Sequence, residues 1–66
     1  MIKMNTKIII EFMQQHKQTK TEFCNACGIS LYILNKILNN VYPLKITPFI
    51  KMALYMNVKL KDLINF

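Results

Sequence analysis

The segment from Leu31 to Asn39 carries side chains whose hydrogen-bonding chemistry suits the edges of DNA bases. Asn35 could form a paired hydrogen bond with adenine, and Lys36 could donate to guanine or to a phosphate. Leu31 and Tyr32 come four residues earlier, and their apolar surfaces suit the methyl group of thymine, while the tyrosine hydroxyl could reach a base or a phosphate. If the segment is helical, these side chains share one face, as insertion into the major groove requires.

The same face has a second interpretation. Leu31 and Tyr32 could form an apolar patch that binds a protein partner or a second copy of the chain. A DNA-reading face usually offers more hydrogen-bond donors and acceptors than this one. We favour double-stranded DNA as the partner and keep a protein partner as the alternative.

Polar and basic side chains on both sides of the segment could bind DNA phosphates. Thr19, Lys20 and the first N–H groups of the preceding helix would lie at its positively polarised end. Each of these residues could equally be a helix cap or a solvated lysine. The residues predicted to contact the backbone on the other side are Asn39, Asn40, Tyr42 and Lys45.

Cys24 and Cys27 form a C-x-x-C pattern of the kind that can bind zinc or exchange disulfides. A zinc site needs about four ligands, and only His16 is available to join them. A thioredoxin-like motif needs a preceding strand, which the sequence does not predict. We therefore expect two small core residues and neither a metal nor a cofactor. His16 is expected to compensate the charge at the end of the first helix.

Other function classes find no support in the sequence. There is no nucleophile with a base, no carboxylate pair and no phosphate-binding glycine loop, so we expect that the protein is not an enzyme. Lys3, Lys7 and Glu11 interrupt the early apolar run, which argues against a membrane span. No signal peptide is recognisable, and we expect a cytoplasmic protein.

The net charge of +6 favours a polyanionic partner. All of the basic side chains that carry it are lysines, since the chain has no arginine. Solubility is the alternative explanation for so much charge on an apolar chain. The lysines expected to be merely solvated are Lys3, Lys7, Lys51, Lys59 and Lys61.

Hydrophobic periodicity predicts one domain, residues 1–66, built from helices without strands. The predicted helices cover about 6–16, 19–27, 30–39, 47–56 and 59–64. The predicted core consists of Ile9, Phe12, Phe23, Cys27, Ile29, Leu34, Ile37, Phe49, Ile50, Ala53, Val58, Leu60 and Leu63.

The second and third predicted helices have clear start and stop signals. Thr19 and Glu22 fit a capping box, in which each side chain accepts a hydrogen bond from the other residue's backbone. Gly28, the only glycine, is expected to end the second helix in a left-handed conformation, and Ser30 is expected to cap the third.

The other helix ends are marked less strongly. Asn5 or Thr6 is expected to cap the first helix, and Asn40 is expected to stop the third in the left-handed region. Thr47 and Pro48 are predicted as the N-cap and first-turn proline of the fourth helix.

Several motifs in a fixed order carry a resemblance to a known family. They are Phe23-Cys24, Cys27-Gly28-Ile29-Ser30, Leu34 with Ile37, Lys51-Met52-Ala53, and Met56-Asn57-Val58-Lys59-Leu60-Lys61-Asp62-Leu63. From about Ile8 to Leu63 the chain resembles the phage repressor/Cro-like (XRE-type) helix-turn-helix family. The resemblance implies an all-α, five-helix, lambda-repressor-like domain in which helices 2 and 3 form the helix-turn-helix.

The chain departs from the family pattern in three places. Met13 and Leu38 stand where many members pair a buried arginine with a glutamate, and such an exchange for apolar packing is often neutral or stabilising. Asn57 stands where glycine is usual. The third helix is poor in glutamine and arginine, although Leu31 and Tyr32 occupy positions where relatives commonly read bases.

The resemblance implies a sequence-specific transcriptional regulator, expected to be a repressor of a phage or mobile element that acts by promoter occlusion. Helix 30–39 would enter the major groove, and two copies would bind a two-fold operator. The alternative is a protein-interaction module or an antitoxin whose third helix binds a protein. The residues predicted to form the dimer interface are Leu44, Tyr55, Ile64 and Phe66.

Overall fold

Helices make up most of the chain. The computed structural model describes residues 3–43 and 45–65. In those residues it has five helices, which confirms the predicted all-helical framework, and two short strands that the sequence did not predict. In chain order the elements are β1 (Lys3–Met4), α1 (Thr6–Gln15), α2 (Lys20–Cys27), α3 (Leu31–Leu38), α4 (Thr47–Met56), α5 (Leu60–Leu63) and β2 (Ile64–Asn65).

Side-chain caps start the first three helices. At α2 the backbone N–H of Glu22 donates to the Thr19 hydroxyl at 3.2 Å, and the backbone N–H of Thr19 donates to the Glu22 carboxylate at 2.8 Å. This confirms the predicted capping box. Ser30 accepts from the backbone N–H of Ile33 at 3.2 Å and caps α3, while Asn5 caps α1.

The start of α4 differs from the prediction. Thr47 is already the first helical residue, and Ile46 is the N-cap without a side-chain hydrogen bond. The reason is that Ile46 itself has helical dihedrals, and its carbonyl accepts from Phe49 N–H at 2.9 Å and Ile50 N–H at 3.2 Å. Pro48 therefore lies at the second helical position, where its missing N–H removes no helical hydrogen bond.

Left-handed residues end or follow three of the helices, and Gly28 and Asn40 do so as predicted. Gly28 ends α2 with φ 82° and ψ 32°, Asn57 ends α4 with φ 57°, and Asn40 follows α3 with φ 63°. The carbonyl of Gly28 also accepts a hydrogen bond from the Lys51 ammonium at 3.1 Å. Lys51 is therefore not merely solvated, because it satisfies a carbonyl that the end of α2 leaves without a helical partner.

The two strands join the ends of the described chain. Lys3 pairs with Asn65 and Met4 with Ile64 in an antiparallel ladder. The prediction that helix 5 runs to residue 64 is wrong, because Ile64 is extended (φ −141°, ψ 135°) and α5 ends at Leu63. Strands of two residues are too short to produce a period-two pattern in the sequence.

The predicted core is largely confirmed. The buried members are Ile9, Phe23, Leu34, Ile37, Phe49, Ala53 and Leu63. The half-buried members packed against them are Phe12, Cys27, Ile29, Val58 and Leu60. Cys24, expected separately as a small core residue, is also buried, and the core further contains Met13, Met52, Met56 and Ile64, which lie outside the predicted set.

Ile50 is the one predicted core residue that is wrong, since 42% of its side chain is exposed. The buried stripe of α4 consists of Phe49, Met52, Ala53 and Met56. These residues follow the i, i+3, i+4, i+7 spacing of one helix face, and Ile50 lies about 100° away from Phe49 around the helix.

An aromatic cluster joins α1, α2 and α4. The rings of Phe12, Phe23 and Tyr55 meet edge to face, with centroid distances between 5.4 and 5.9 Å. His16, the residue that ends α1, lies against Phe12 at 4.1 Å. Gln18 donates to the Tyr55 hydroxyl at 2.7 Å, so the ring of Tyr55 packs in this cluster while its hydroxyl is bound by the connection between α1 and α2.

Met13 is buried in the core and Leu38 is half-buried against it. These positions therefore contribute apolar packing where many members of the family that the chain resembles have an ion pair. Among the described helices, none has the length and apolar character needed to cross a lipid bilayer.

Candidate nucleic-acid interface

The helix-turn-helix consists of two eight-residue helices, α2 and α3, joined by residues 28–30. α2 contacts both α3 and α4. On α3 the side chains of Leu34 and Ile37 are fully buried. Since these two residues fix which side of α3 faces the core, they also determine which residues face outward.

The outward side chains are the predicted base-reading residues Leu31, Tyr32, Asn35 and Lys36, which we call the α3 stripe. Leu31 is 42% exposed and Tyr32 is 67% exposed. Asn35 and Lys36 are half-buried. The structure therefore brings all four residues together on one side of α3, with the apolar pair more exposed than the polar pair.

Tyr32 and Lys36 form a cation–π pair. The Lys36 ammonium lies 4.8 Å from the centroid of the Tyr32 ring. Such contacts contribute about 0.5–1 kcal/mol at exposed sites. The pair holds a positive charge next to an exposed aromatic surface, so a donor and an apolar contact are presented together.

Asn35 links the two helices of the motif. Its side-chain oxygen accepts a hydrogen bond from the Lys20 ammonium at 3.4 Å. Its backbone carbonyl accepts from the Asn39 side-chain amide at 2.9 Å. One donor of Asn39, a predicted phosphate ligand, is therefore used within its own helix. Lys20 lies near enough to affect the orientation of the Asn35 side chain.

The N-terminus of α2 combines groups that attract a phosphate with a carboxylate that repels it. The capping box uses the N–H groups of Thr19 and Glu22, so a phosphate here would meet the N–H groups of Lys20 and Thr21 and the Lys20 ammonium. Hydrogen bonding from the Thr19 backbone, and to a smaller extent from its side chain, lowers the pKa of Glu22. The ionised carboxylate stays at the same helix end and would compete with a phosphate for it.

The predicted contacts on the other side differ from one another. Asn40 and Lys45 are exposed, as phosphate ligands must be. Tyr42 is half-buried, and its ring stacks on Phe49 at 6.0 Å with an interplanar angle of 11°. Val41 is exposed beside them and was not predicted as a contact.

A groove of about 380 Å³ lies beside the α3 stripe, between the turn, α3 and the start of α4. Lys36, Lys45 and Lys51 all line it. The sequence does not predict this convergence, because the lysines come from three separate segments and share no periodic pattern.

The predicted dimer surface is only partly available. Ile64 is 3% exposed and buried in the core, so its predicted exposure is wrong. Tyr55 is partly exposed but packs into the aromatic cluster. Leu44 and Phe66 lie outside the described residues. The exposed apolar side chains of α4 are instead Ile50 and Leu54, the latter 78% exposed.

The two cysteines are free and lie in the core region. Burial raises the pKa of Cys24, and burial together with the nearby Cys24 raises the pKa of Cys27 to about 12. Both thiols therefore stay protonated and weakly reactive at neutral pH. In residues 3–43 and 45–65 no three His, Cys, Asp or Glu side chains come together in an arrangement that could hold a metal ion.

Comparison with known proteins agrees with this geometry. The family model described as the Cro/C1-type HTH DNA-binding domain matches residues 9–66. A search of curated proteins found no significant match. Proteins of the matching family are DNA-binding regulators and are typically not enzymes. The match covers most of the chain and includes both helices of the motif, and the chain therefore belongs to the Cro/C1-type helix-turn-helix DNA-binding family.

Proposed function

We propose that this protein is a sequence-specific transcriptional regulator that places α3 in the major groove of DNA. The observation that supports this most is the arrangement of α3 itself. Leu34 and Ile37 are fully buried, whereas the outward side of the same helix carries the exposed Leu31 and Tyr32 and the half-buried Asn35 and Lys36. A major groove about 12 Å wide admits one helix presented in this way.

Base recognition would combine hydrogen bonds with apolar contacts. Asn35 would bind adenine through its side-chain amide, and Lys36 would donate to guanine. Leu31 and the ring edge of Tyr32 would contact thymine methyl groups. Lys36 would approach the bases together with Tyr32, because the two side chains are already in contact. We expect each well-placed paired contact to contribute about 1–3 kcal/mol of discrimination between bases.

Phosphate contacts would position α3 without reading sequence. Lys20 would bind at the N-terminus of α2, where the free N–H groups of the first turn assist it. Asn40 and Lys45 would contact the backbone beyond the C-terminus of α3. The net charge of +6 adds long-range attraction.

We also propose that two copies bind together. One helix of eight residues offers few contacts, and two copies on half-sites about 34 Å apart would double them. The exposed pair Ile50 and Leu54 on α4 is the candidate contact surface between the copies. Repression by promoter occlusion, a cytoplasmic location and an origin in a phage or mobile element complete the proposal, with support from the family resemblance alone.

A protein-interaction module or antitoxin is the second candidate function. The observation that favours it is the exposed apolar surface of Leu31, Tyr32 and Val41 beside the motif. A partner protein could cover this surface as a strand or helix does in other recognition modes.

A DNA titration with matched double variants separates the two functions. Genomic fragments are titrated at two salt concentrations with the native protein, with Asn35→Ala/Lys36→Ala, and with Lys61→Ala/Asn65→Ala. The second double variant removes the same residue types at exposed positions in α5 and β2. We expect binding that weakens steeply with salt and is lost only in the first double variant. Equal binding by both variants would contradict a role of the α3 stripe in DNA binding. A co-purified protein without DNA binding would favour the second candidate function.

A further inference from the structure

The groove between α3 and α4 has an apolar floor that DNA binding leaves unexplained. Ile29, Ile33, Pro43 and Pro48 are among the residues that line it. Its volume of about 380 Å³ lies in the range of small-molecule sites, which is about 300–1,000 Å³. A DNA phosphate backbone is hydrophilic and would not need such a floor.

The charged groups around the groove all have one sign. Lys36, Lys45 and Lys51 line it, and none of the described lining residues is acidic. Ser30 and Thr47 add hydroxyl groups. Lys51 donates one hydrogen bond to the Gly28 carbonyl, and its ammonium has two further donors for a bound anion.

We propose that this groove binds a small carboxylate with an aromatic or short aliphatic body. The lysines would bind the carboxylate, and the isoleucines and prolines would contact the body. Charge complementarity therefore sets the head group, and the floor sets the size and character of the rest.

The position of the groove gives such binding a consequence for DNA. Tyr32 and Lys36 belong both to the groove lining and to the α3 stripe. A carboxylate that pairs with Lys36 would draw its ammonium away from the bases and neutralise it. We expect DNA affinity to fall about fivefold or more, the usual lower range of coupling between two ligands. This consequence rests on the proposed function, whereas the binding site itself does not.

The site is tested on the native protein by NMR without DNA. Assigned amide spectra are recorded during titration with 4-phenylbutyrate and, at the same ionic strength, with neutral 4-phenylbutanamide. We expect saturable shifts at Ile29, Ile33 and Lys45, with a dissociation constant on the order of 1 mM. The amide should bind about threefold to fivefold more weakly, as expected for loss of exposed ion pairs. Equal binding of both compounds, or shifts centred on Leu54, would overturn the proposal.

Charge-reversal variants give a second readout. Lys45→Glu should weaken 4-phenylbutyrate binding, and Lys61→Glu, the same change outside the groove, should leave it unaltered. The spectra themselves report whether each variant is folded. Equal weakening in both variants would show that the protein attracts anions without a specific site, which overturns the proposal. Tighter binding of an acidic, leucine-rich peptide at the same residues would overturn it in favour of a protein partner.

The two proposals fail in different ways. If 4-phenylbutyrate shifts the groove residues and no DNA fragment binds under any condition, the carboxylate site stands and the regulatory function fails. If DNA binds and the groove residues do not respond, the carboxylate site is wrong and the regulatory function stands.

Discussion

The two sides of α3 show how one short helix serves two purposes. The inner side is apolar and fully buried at Leu34 and Ile37. The outer side also carries a leucine and an aromatic ring, yet Leu31 and Tyr32 remain exposed. Hydrophobicity alone therefore does not separate the two sides. Their difference lies in helical phase: packing determines the inner residues, and the outer residues remain accessible to a partner.

The largest expected effect compares two leucines on opposite sides of α3. Leu34→Ala should lower the free energy of unfolding by about 2–5 kcal/mol, because it leaves a cavity in the core. Leu31→Ala should change it by no more than about 0.5 kcal/mol, because Leu31 is exposed and lies outside the packed core. Urea unfolding of both variants measures the difference. Similar losses would mean that the outer side of α3 is part of the packed structure.

The turn before α3 determines how both sides are oriented. Gly28→Ala should destabilise the protein by about 1–2 kcal/mol, because alanine is strained in the left-handed region. An added Cβ would meet no atom within 4 Å, so the effect should come from the backbone alone. Asn25→Ala, an exposed position inside α2, is the control and should leave stability equal or higher. Thermal unfolding checks both variants. An unchanged midpoint for Gly28→Ala would contradict the left-handed conformation of Gly28.

A smaller effect sharpens the distinction between reading bases and binding phosphates. Lys20→Ala should weaken DNA binding about equally for all sequences and reduce the slope of log affinity against log salt by about 0.9. Lys61→Ala, distant from the motif in sequence, should change the slope little. Anisotropy titrations at several salt concentrations measure both slopes. A change of base preference in Lys20→Ala would instead show that its contact with Asn35 controls recognition.

The smallest effect concerns the capping box at the start of α2. The pKa of Glu22 is lowered in the folded state from the ordinary value of 4.5. The folded protein therefore binds this proton less readily than the unfolded chain, and the stabilisation is present above pH 4.5 and is lost as the pH falls through the folded-state value. Glu22→Gln should show a smaller loss of stability between pH 6 and pH 3, measured by urea unfolding. An identical pH dependence would contradict a role for the carboxylate.

Local signals in the sequence were sufficient where one residue type has one dominant use. Gly28, Ser30 and the Thr19–Glu22 pair predicted the ends of α2 and α3, because caps depend on neighbours within a few residues. Thr47 is predicted as the N-cap but is the first helical residue, because threonine suits both positions and the helical conformation of Ile46 decides between them.

Contacts between distant segments could not be predicted in this way. The pairing of Met4 with Ile64 joins residues sixty positions apart. The hydrogen bond from Lys51 to Gly28 and the lysines of the groove likewise depend on how α4 packs beside the turn. On α3, periodicity predicted the four residues of the α3 stripe, whereas the contact of Lys36 with Tyr32 required the side-chain geometry.

A base-substitution series tests most directly whether the outer side of α3 reads DNA. The tightest genomic fragment is varied one base pair at a time, and affinities are measured for the native protein and for Asn35→Ala. We expect the native protein to distinguish an A·T pair by about 1–3 kcal/mol and the variant to lose discrimination at that pair alone. An unchanged profile of base preference in Asn35→Ala would show that Asn35 does not read DNA.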